Sequence, residues 1–173
     1  DGELTRVLAP GGKAVFLDPA SGDVVRNLTK PQPEDTDEWT HYLYDPSNNA
    51  VAKDQRIAPP RRVRWTAGPL WTRHHDRMAS ISSVVSAGGR LFYIMDEGPT
   101  ADIILPAEWK LIAKDAYNGI TLWKRDIRKW ENHLRAFRAG PTQQPRRLVA
   151  DGNKLYAALD LGDAIQVLDG STG

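Results

Sequence analysis

Two stretches of this chain repeat one another. A recurring sequence constrains a fold strongly, because each copy is one supersecondary unit that buries its faces only by stacking on a neighbour. The run 83–93 superposes on 147–156 when the turns Gly88-Gly89 and Asp151-Gly152 are matched, which sets Leu91 against Leu155, 64 residues on. Further along, 113–123 matches 167–173, with Asp115 and Asp169 54 residues apart. The ten-residue difference lies between the second and third strands of the first copy, since Leu91 to Asp115 is 24 residues and Leu155 to Asp169 is 14. Each copy therefore reads strand, tight turn, strand, loop, strand, Asp-x-x-[Asn/Thr]-Gly turn, strand. In the second copy the fourth strand is missing.

The rest of the chain fits a mainly β protein. Its 14 Gly and 12 Pro cut the 173 residues into short runs rich in Val, Ile, Leu, Trp and Tyr, the pattern of strands bounded by turns. Strands are expected at 13–17, 23–28, 61–66, 81–87, 90–95, 110–115, 120–125, 146–150, 154–159 and 164–168. Residues 29–60 hold five prolines and few apolar runs. They read as a connector, so the chain divides into 1–30, a lead-in 31–60, and the repeats 61–173. Since it starts with Asp1 and stops at Gly173 inside a turn motif, it is expected to be a piece of a longer protein.

Charge and composition exclude several classes of function. With 23 Lys and Arg against 22 Asp and Glu, the chain has no polybasic nucleic-acid tail. Residues 1–60 carry six basic and ten acidic side chains; the basic excess that follows is spread over strands and loops, as solvated surface is. No apolar stretch approaches the roughly 20 residues that cross a bilayer. The absence of cysteine excludes a disulfide framework, a thiol nucleophile and thiolate metal ligands.

The turn carries its own chemistry. An Asp side chain accepts hydrogen bonds from backbone N–H groups two and three residues ahead, and the glycine supplies the left-handed residue that closes the hairpin. A Trp four residues after that glycine, Trp123, lies on the fourth strand, where a large flat ring can reach a neighbouring unit. The string Ala113-x-Asp115-x-x-Asn118-Gly119-x-x-x-Trp123 resembles the tryptophan-docking motif of the quinoprotein-type (PQQ-like) β-propeller repeat. The family usually has Thr where Asn118 stands, and Asp169-x-x-Thr172-Gly173 restores it. Upstream, Trp39, Asp45-Pro46-Ser47-Asn48-Asn49-Ala50-Val51, Asp54, Pro59-Pro60 and Val63-Arg64-Trp65 look like the lead-in to the first blade in bacterial, planctomycete-like members. The resemblance spans about 37–173. It implies an incomplete β-propeller fragment: one full four-stranded antiparallel blade, a partial second blade, and an N-terminal β-hairpin with a short helix segment. Because closure takes about four to eight blades, the implied partners are the remaining blades of the same chain. Trp65, Trp71 and Trp123 are expected to pack between blades.

The first thirty residues resemble a second family. A short helix end, then Arg6-Val7-Leu8-Ala9-Pro10-Gly11-Gly12 and the apolar run 13–17, is similar to the late part of class I methyltransferases that use S-adenosylmethionine. The competing reading takes Asp18-Pro19-Ala20-Ser21-Gly22 as a degenerate third copy of the blade turn, with Arg26 where the Trp belongs.

Binding chemistry is expected on the long loops 96–109 and 126–145 and the segment 71–77, which a four-stranded meander brings to one face. The candidate ligand-binding residues are His74, His75, Asp76, Asp96, Glu97, Trp109, Trp130 and His133; the blade motif itself is Ala113, Asp115, Asn118, Gly119, Trp123, Asp169, Thr172 and Gly173. Aromatic rings with convergent polar groups suit a small-molecule or glycan pocket, or a protein partner. No metal site is expected, because neighbouring His74 and His75 point to opposite sides of an extended chain. The leading expectation is a binding or scaffold module without a catalytic role or a cofactor in this stretch. The alternatives are part of a quinone-dependent dehydrogenase, with pyrroloquinoline quinone and calcium held elsewhere, and a methyltransferase fused to a propeller. The first resemblance implies the cell envelope or periplasm, the second the cytoplasm.

Overall fold

A computed structural model describes residues 1–56, 59, 61–70, 73, 81–102, 104–128, 130, 144–160 and 162–173. The chain forms two compact units, Asp1–Asp37 with Asp54–Ala58, and Glu38–Lys53 with Pro59–Gly173.

In the first unit, helix α1 (Gly2–Val7) precedes an antiparallel hairpin of β1 (Lys13–Leu17) and β2 (Val24–Thr29). The helix buries no residue. It is tied locally by the Arg6–Glu3 ion pair, and Arg26 of β2 pairs with Asp1. The backbone of Gly11 and Gly12 bonds with Lys30, closing the base of the hairpin. The strands are paired Phe16 to Arg26, then Leu17 to Val24, with the register shift just before the Asp18 turn.

The second unit holds two antiparallel sheets. Strands β3 (Ile81–Ala87), β4 (Arg90–Asp96), β5 (Trp109–Asp115) and β6 (Thr121–Asp126) form a four-stranded meander in sequence order. After a 3-10 turn at Gln144–Arg147, strands β7 (Leu148–Asp151), β8 (Lys154–Ala157) and β9 (Gln166–Asp169) form a three-stranded meander. Side chains alternate across a strand, so each sheet has two faces. Val85, Phe92, Ile94, Leu111 and Ala113 project from one face of the first sheet. They pack on Leu148, Ala150, Leu155, Ala157 and Leu168 of the second, and all ten are buried. The sheets approach most closely along β3 and β7. Toward the last strands the gap is filled by Trp123, whose ring lies 6.1 Å from that of Phe92.

Edge strands expose a row of unpaired backbone groups, and the free edges of β3 and β7 are covered by one segment. The Trp39 carbonyl accepts from Ser86 N at 2.7 Å, the Thr40 carbonyl accepts from Ala150 N at 2.9 Å, and the Glu38 carboxylate accepts from Gly88 N at 2.6 Å. Trp39 packs edge-on against the buried Tyr44, with ring centroids 5.6 Å apart.

One expected strand is absent. Residues 61–66 are extended in sequence pattern but belong to no sheet. Among the described residues their side chains, not their backbone, make the hydrogen bonds: Trp65 Nε1 donates to Ala116 O at 2.9 Å and Arg64 Nε to Tyr117 O at 3.0 Å. Alternation of apolar residues marks a segment suited to a sheet; it does not supply the neighbouring strand.

Candidate functional site

Three Asp turns in the chain share one geometry. Asp115 Oδ1 accepts from Tyr117 N and Asn118 N at 2.8 and 3.1 Å, and Gly119 N donates to Asp115 O at 2.9 Å. Asp169 Oδ1 accepts from Ser171 N and Thr172 N at 2.8 and 3.0 Å, and Gly173 N donates to Asp169 O at 2.8 Å. Asp18 Oδ1 accepts from Ala20 N and Ser21 N at 2.8 and 3.0 Å, and Gly22 N donates to Asp18 O at 2.8 Å. All three glycines have φ between +74° and +87°. The preceding hairpin registers agree as well, since Phe16 opposite Arg26 repeats Ala113 opposite Trp123 with the shift at the same step. Hydrogen bonding to the charged form favours it. The Ser171 hydroxyl, with the N–H groups of Ser171 and Thr172, holds the Asp169 carboxyl down at about 2. The N–H groups of Ser21 and Ala20 lower that of Asp18.

Two of these turns are tryptophan docks. Trp123 Nε1 donates to Gly170 O at 3.0 Å, and its ring lies against Gly173, where a Cβ would sit 3.2 Å from Cδ2 and Cε3. Trp65 does the same one turn earlier. Its Nε1 donates to Ala116 O, and a Cβ on Gly119 would sit 2.5 Å from its Cε3. In each case the indole N–H takes the carbonyl of the residue after the Asp, and the ring covers the glycine. Asn118 Oδ1 in turn accepts from Ile120 N, and the Thr172 hydroxyl donates to Asp169.

Of the residues expected on the loop-rich face, His74, His75, Asp76, His133 and also Trp71 lie outside the described residues. Asp96 and Glu97 line one cavity, whereas Trp109 and Trp130 lie in the core. Asp96 ends β4 directly opposite Trp109 at the start of β5. Its carboxylate accepts from Gly98 N and Glu108 N, both at 2.9 Å, and lies 3.5 Å from Arg73 Nη1. Arg73 also donates to the carbonyls of Leu105 and Pro106. With both side chains at 1% exposure or less, the pair clamps the two ends of the 97–108 loop. Removing one side of a buried ion pair of this kind is costly, because it leaves the other charge buried without its counter-charge.

Trp109 and Trp130 are buried between the sheets, in the core with Leu148 and Leu155. Trp130 Nε1 donates to Ser82 Oγ at 2.6 Å, and its carbonyl accepts from Gln144 Nε2 at 2.7 Å. Among the described residues Trp109 Nε1 has no hydrogen-bond partner. These two rings hold the loops onto the sheets.

Glu97 faces a cavity of about 480 Å³ on the opposite side of the first sheet, together with Tyr93, Thr100, Lys114, Thr121 and Lys124. Both Glu97 oxygens accept from Lys124 Nζ, at 2.7 and 2.8 Å. Lys114 is buried, and its ammonium donates to Gly119 O at 3.1 Å and Thr121 Oγ1 at 3.0 Å. Burial, aided by the Glu97 charge, pushes the Tyr93 phenol up to about 12, so it stays a neutral donor. Beside it lies an apolar recess of about 320 Å³ formed by Trp65, Val84, Leu91 and Met95. The cavity can orient a small polar group by hydrogen bonding. Tyr93, Lys114 and Lys124 were not singled out from sequence; the cue for Lys114 is a lysine where the second copy has the core residue Leu168.

Among the described residues no three of His, Cys, Asp and Glu come together to hold a metal ion, and no helix is long and apolar enough to cross a membrane. Comparison with protein-family models, with curated proteins and with solved structures gives no match for this chain.

Proposed function

We propose that the chain is part of a quinoprotein-type β-propeller and works as a binding or scaffold module. The observation that carries this reading is the double dock. Trp65 and Trp123 reach the next Asp turn through the same N–H to carbonyl bond and the same ring-on-glycine contact. Trp123 joins the first sheet to the second through this dock, and Trp65 brings the segment 61–66 onto the first sheet with the same offset, the repeat that radial stacking would use. Two further features support it. The sheets are closest at their first strands, β3 and β7, so they diverge as wedges do, and the segment at Trp39–Thr40 runs along both inner edges.

The N-terminal hairpin favours the blade-turn reading over a methyltransferase tail, because its turn and its register shift repeat those of β5 and β6. Arg26, at the place of Trp123, lies over the Phe16 ring with its guanidinium carbon 5.2 Å from the centroid.

The second reading is part of a quinone-dependent dehydrogenase, whose calcium-held quinone requires a cluster of hard oxygen ligands outside this stretch. An experimental structure of the protein tests the first: four-stranded sheets arranged radially around a channel support it, and a β-sandwich closed by its own two sheets refutes it. A calcium-dependent uptake of pyrroloquinoline quinone, read by quinone absorbance and a rise in Tm, would move the assignment to the second.

A further inference from the structure

Two buried polar side chains of the first sheet have hydrogen-bonding capacity that the described residues do not use. Tyr93 on β4 and Lys114 on β5 are diagonal neighbours, since Lys114 pairs with Leu91, two residues before Tyr93, and each is 7% exposed. Among the described residues nothing hydrogen-bonds to the Tyr93 hydroxyl, and the residue lines the cavity of about 480 Å³. A buried hydroxyl without a partner is costly. Lys114 holds the unmatched charge of the same cavity. Arg73, Lys114 and Lys124 line it against Asp96 and Glu97. Because Arg73 pairs with Asp96 and Lys124 with Glu97, the surplus positive charge is that of Lys114. Its ammonium has three N–H donors, and those in use go to uncharged oxygens, Gly119 O and Thr121 Oγ1.

The apolar recess of about 320 Å³ adjoins this cavity, and the two share Gly68, Pro69, Tyr93 and Lys114 in their walls. Trp65, Leu91 and Met95 give the recess its apolar character. Tyr93 and Lys114 thus stand at the seam between a polar chamber and an apolar one. The walls beyond the sheet come from Trp65, Pro69 and Thr100, so the site is built within the second unit. Both volumes fall in the range of small-molecule sites, about 300–1,000 Å³.

We propose that this seam binds a small monocarboxylate with an aromatic or short aliphatic body. The carboxylate accepts from the Tyr93 hydroxyl and from the third N–H of Lys114, and the body lies in the recess against Trp65 and Met95. One surplus positive charge matches one carboxylate, whereas a doubly charged phosphate would place a second negative charge near Asp96 and Glu97. The site deepens the binding reading above and does not use the radial arrangement of sheets.

Methyl NMR of the methionine-labelled chain, titrated with phenylacetate, tests the proposal. The expected result is a saturable shift of the Met95 methyl. Phenylacetamide, which has the same body without the charge, should bind at least roughly tenfold more weakly, and so should phenylacetate to Tyr93→Phe, the worth of a hydrogen bond to a charged group. Acetate should also bind more weakly, because it leaves the recess empty. Lys114→Met should abolish binding while the far-UV circular dichroism stays that of the parent; if that variant unfolds, Tyr93→Phe decides. No saturable shift, equal affinity for acid and amide, equal affinity for acetate and phenylacetate, or unchanged affinity in Tyr93→Phe each overturns the proposal. A β-sandwich in an experimental structure would refute the propeller and leave this site standing, whereas failure to bind refutes the site alone.

Discussion

Substituting alanine at glycines of positive φ measures the tryptophan dock. Gly119→Ala incurs two costs. The first is conformational: φ of +74° is the left-handed region, which costs an L-residue about 1–2 kcal/mol. The second is displacement, because the new Cβ would lie 2.5 and 2.7 Å from two carbons of the Trp65 ring, far inside contact distance. The indole then lifts off and its bond to Ala116 O is lost. A hydrogen bond is worth roughly 1 kcal/mol net, and uncovering about 100 Å² of ring at roughly 25 cal/mol/Å² adds about 2.5 kcal/mol. Relaxation recovers part of this, leaving about 2–3 kcal/mol beyond the conformational term. Gly152→Ala is the control within the same unit, since Gly152 has φ of +54° and nothing within 4 Å of its would-be Cβ. Urea unfolding followed by circular dichroism should give about 1–2 kcal/mol for Gly152→Ala and a clearly larger loss for Gly119→Ala. In a Trp65→Ala background the excess should vanish, the non-additivity expected of residues in contact. Equal losses at the two glycines, or additivity with Trp65→Ala, would refute the dock as a source of stability.

Other outcomes follow from the same geometry. Asp96→Asn leaves Arg73 buried without its counter-charge and should destabilise the fold by about 3–5 kcal/mol, the usual cost of breaking one side of a sealed pair, read by urea denaturation. Asp169, with its carboxyl held at about 2, lends the second sheet stability that is complete above the ordinary carboxylate range and lost as pH falls from about 4 toward 2; carboxyl NMR titration gives that midpoint, and Asp169→Asn should flatten this part of the acid limb. Tyr93, raised to about 12, acts in the opposite direction: its contribution is present below pH about 10 and fades as pH rises toward 12. Absorbance of the phenolate should show a late-titrating tyrosine that is missing from Tyr93→Phe.

The meander was readable because two local signals coincide in it. The runs 81–87 and 110–115 are rich in Val, Ile and Leu and end at a glycine or Asp turn, so β3 emerges at its observed limits and β5 one residue short. The missing first residue of β5 is Trp109, read as a loop aromatic. Its spacing from Leu111 and Ala113 already placed it on their face, but a loop expected to bind ligands outweighed the alternation. Trp130 carries no such cue, since its burial depends on Ser82 and Gln144, far apart in sequence. The same holds for Arg73 with Asp96, and for Trp39 and Thr40 on the edges of β3 and β7, where the contact is long-range and the residue types are ordinary. The strand expected at 61–66 failed for a different reason: its pattern suits a sheet, while pairing depends on a partner outside the segment.

The most direct test of the shared dock is the NMR environment of its two glycines. If the Trp65 and Trp123 rings cover Gly119 and Gly173, the α-protons of both glycines shift upfield, show cross-relaxation to the indole protons, and return to ordinary positions in Trp65→Ala and Trp123→Ala respectively. Ordinary glycine shifts in the parent protein, with no cross-relaxation to either indole, would contradict the account.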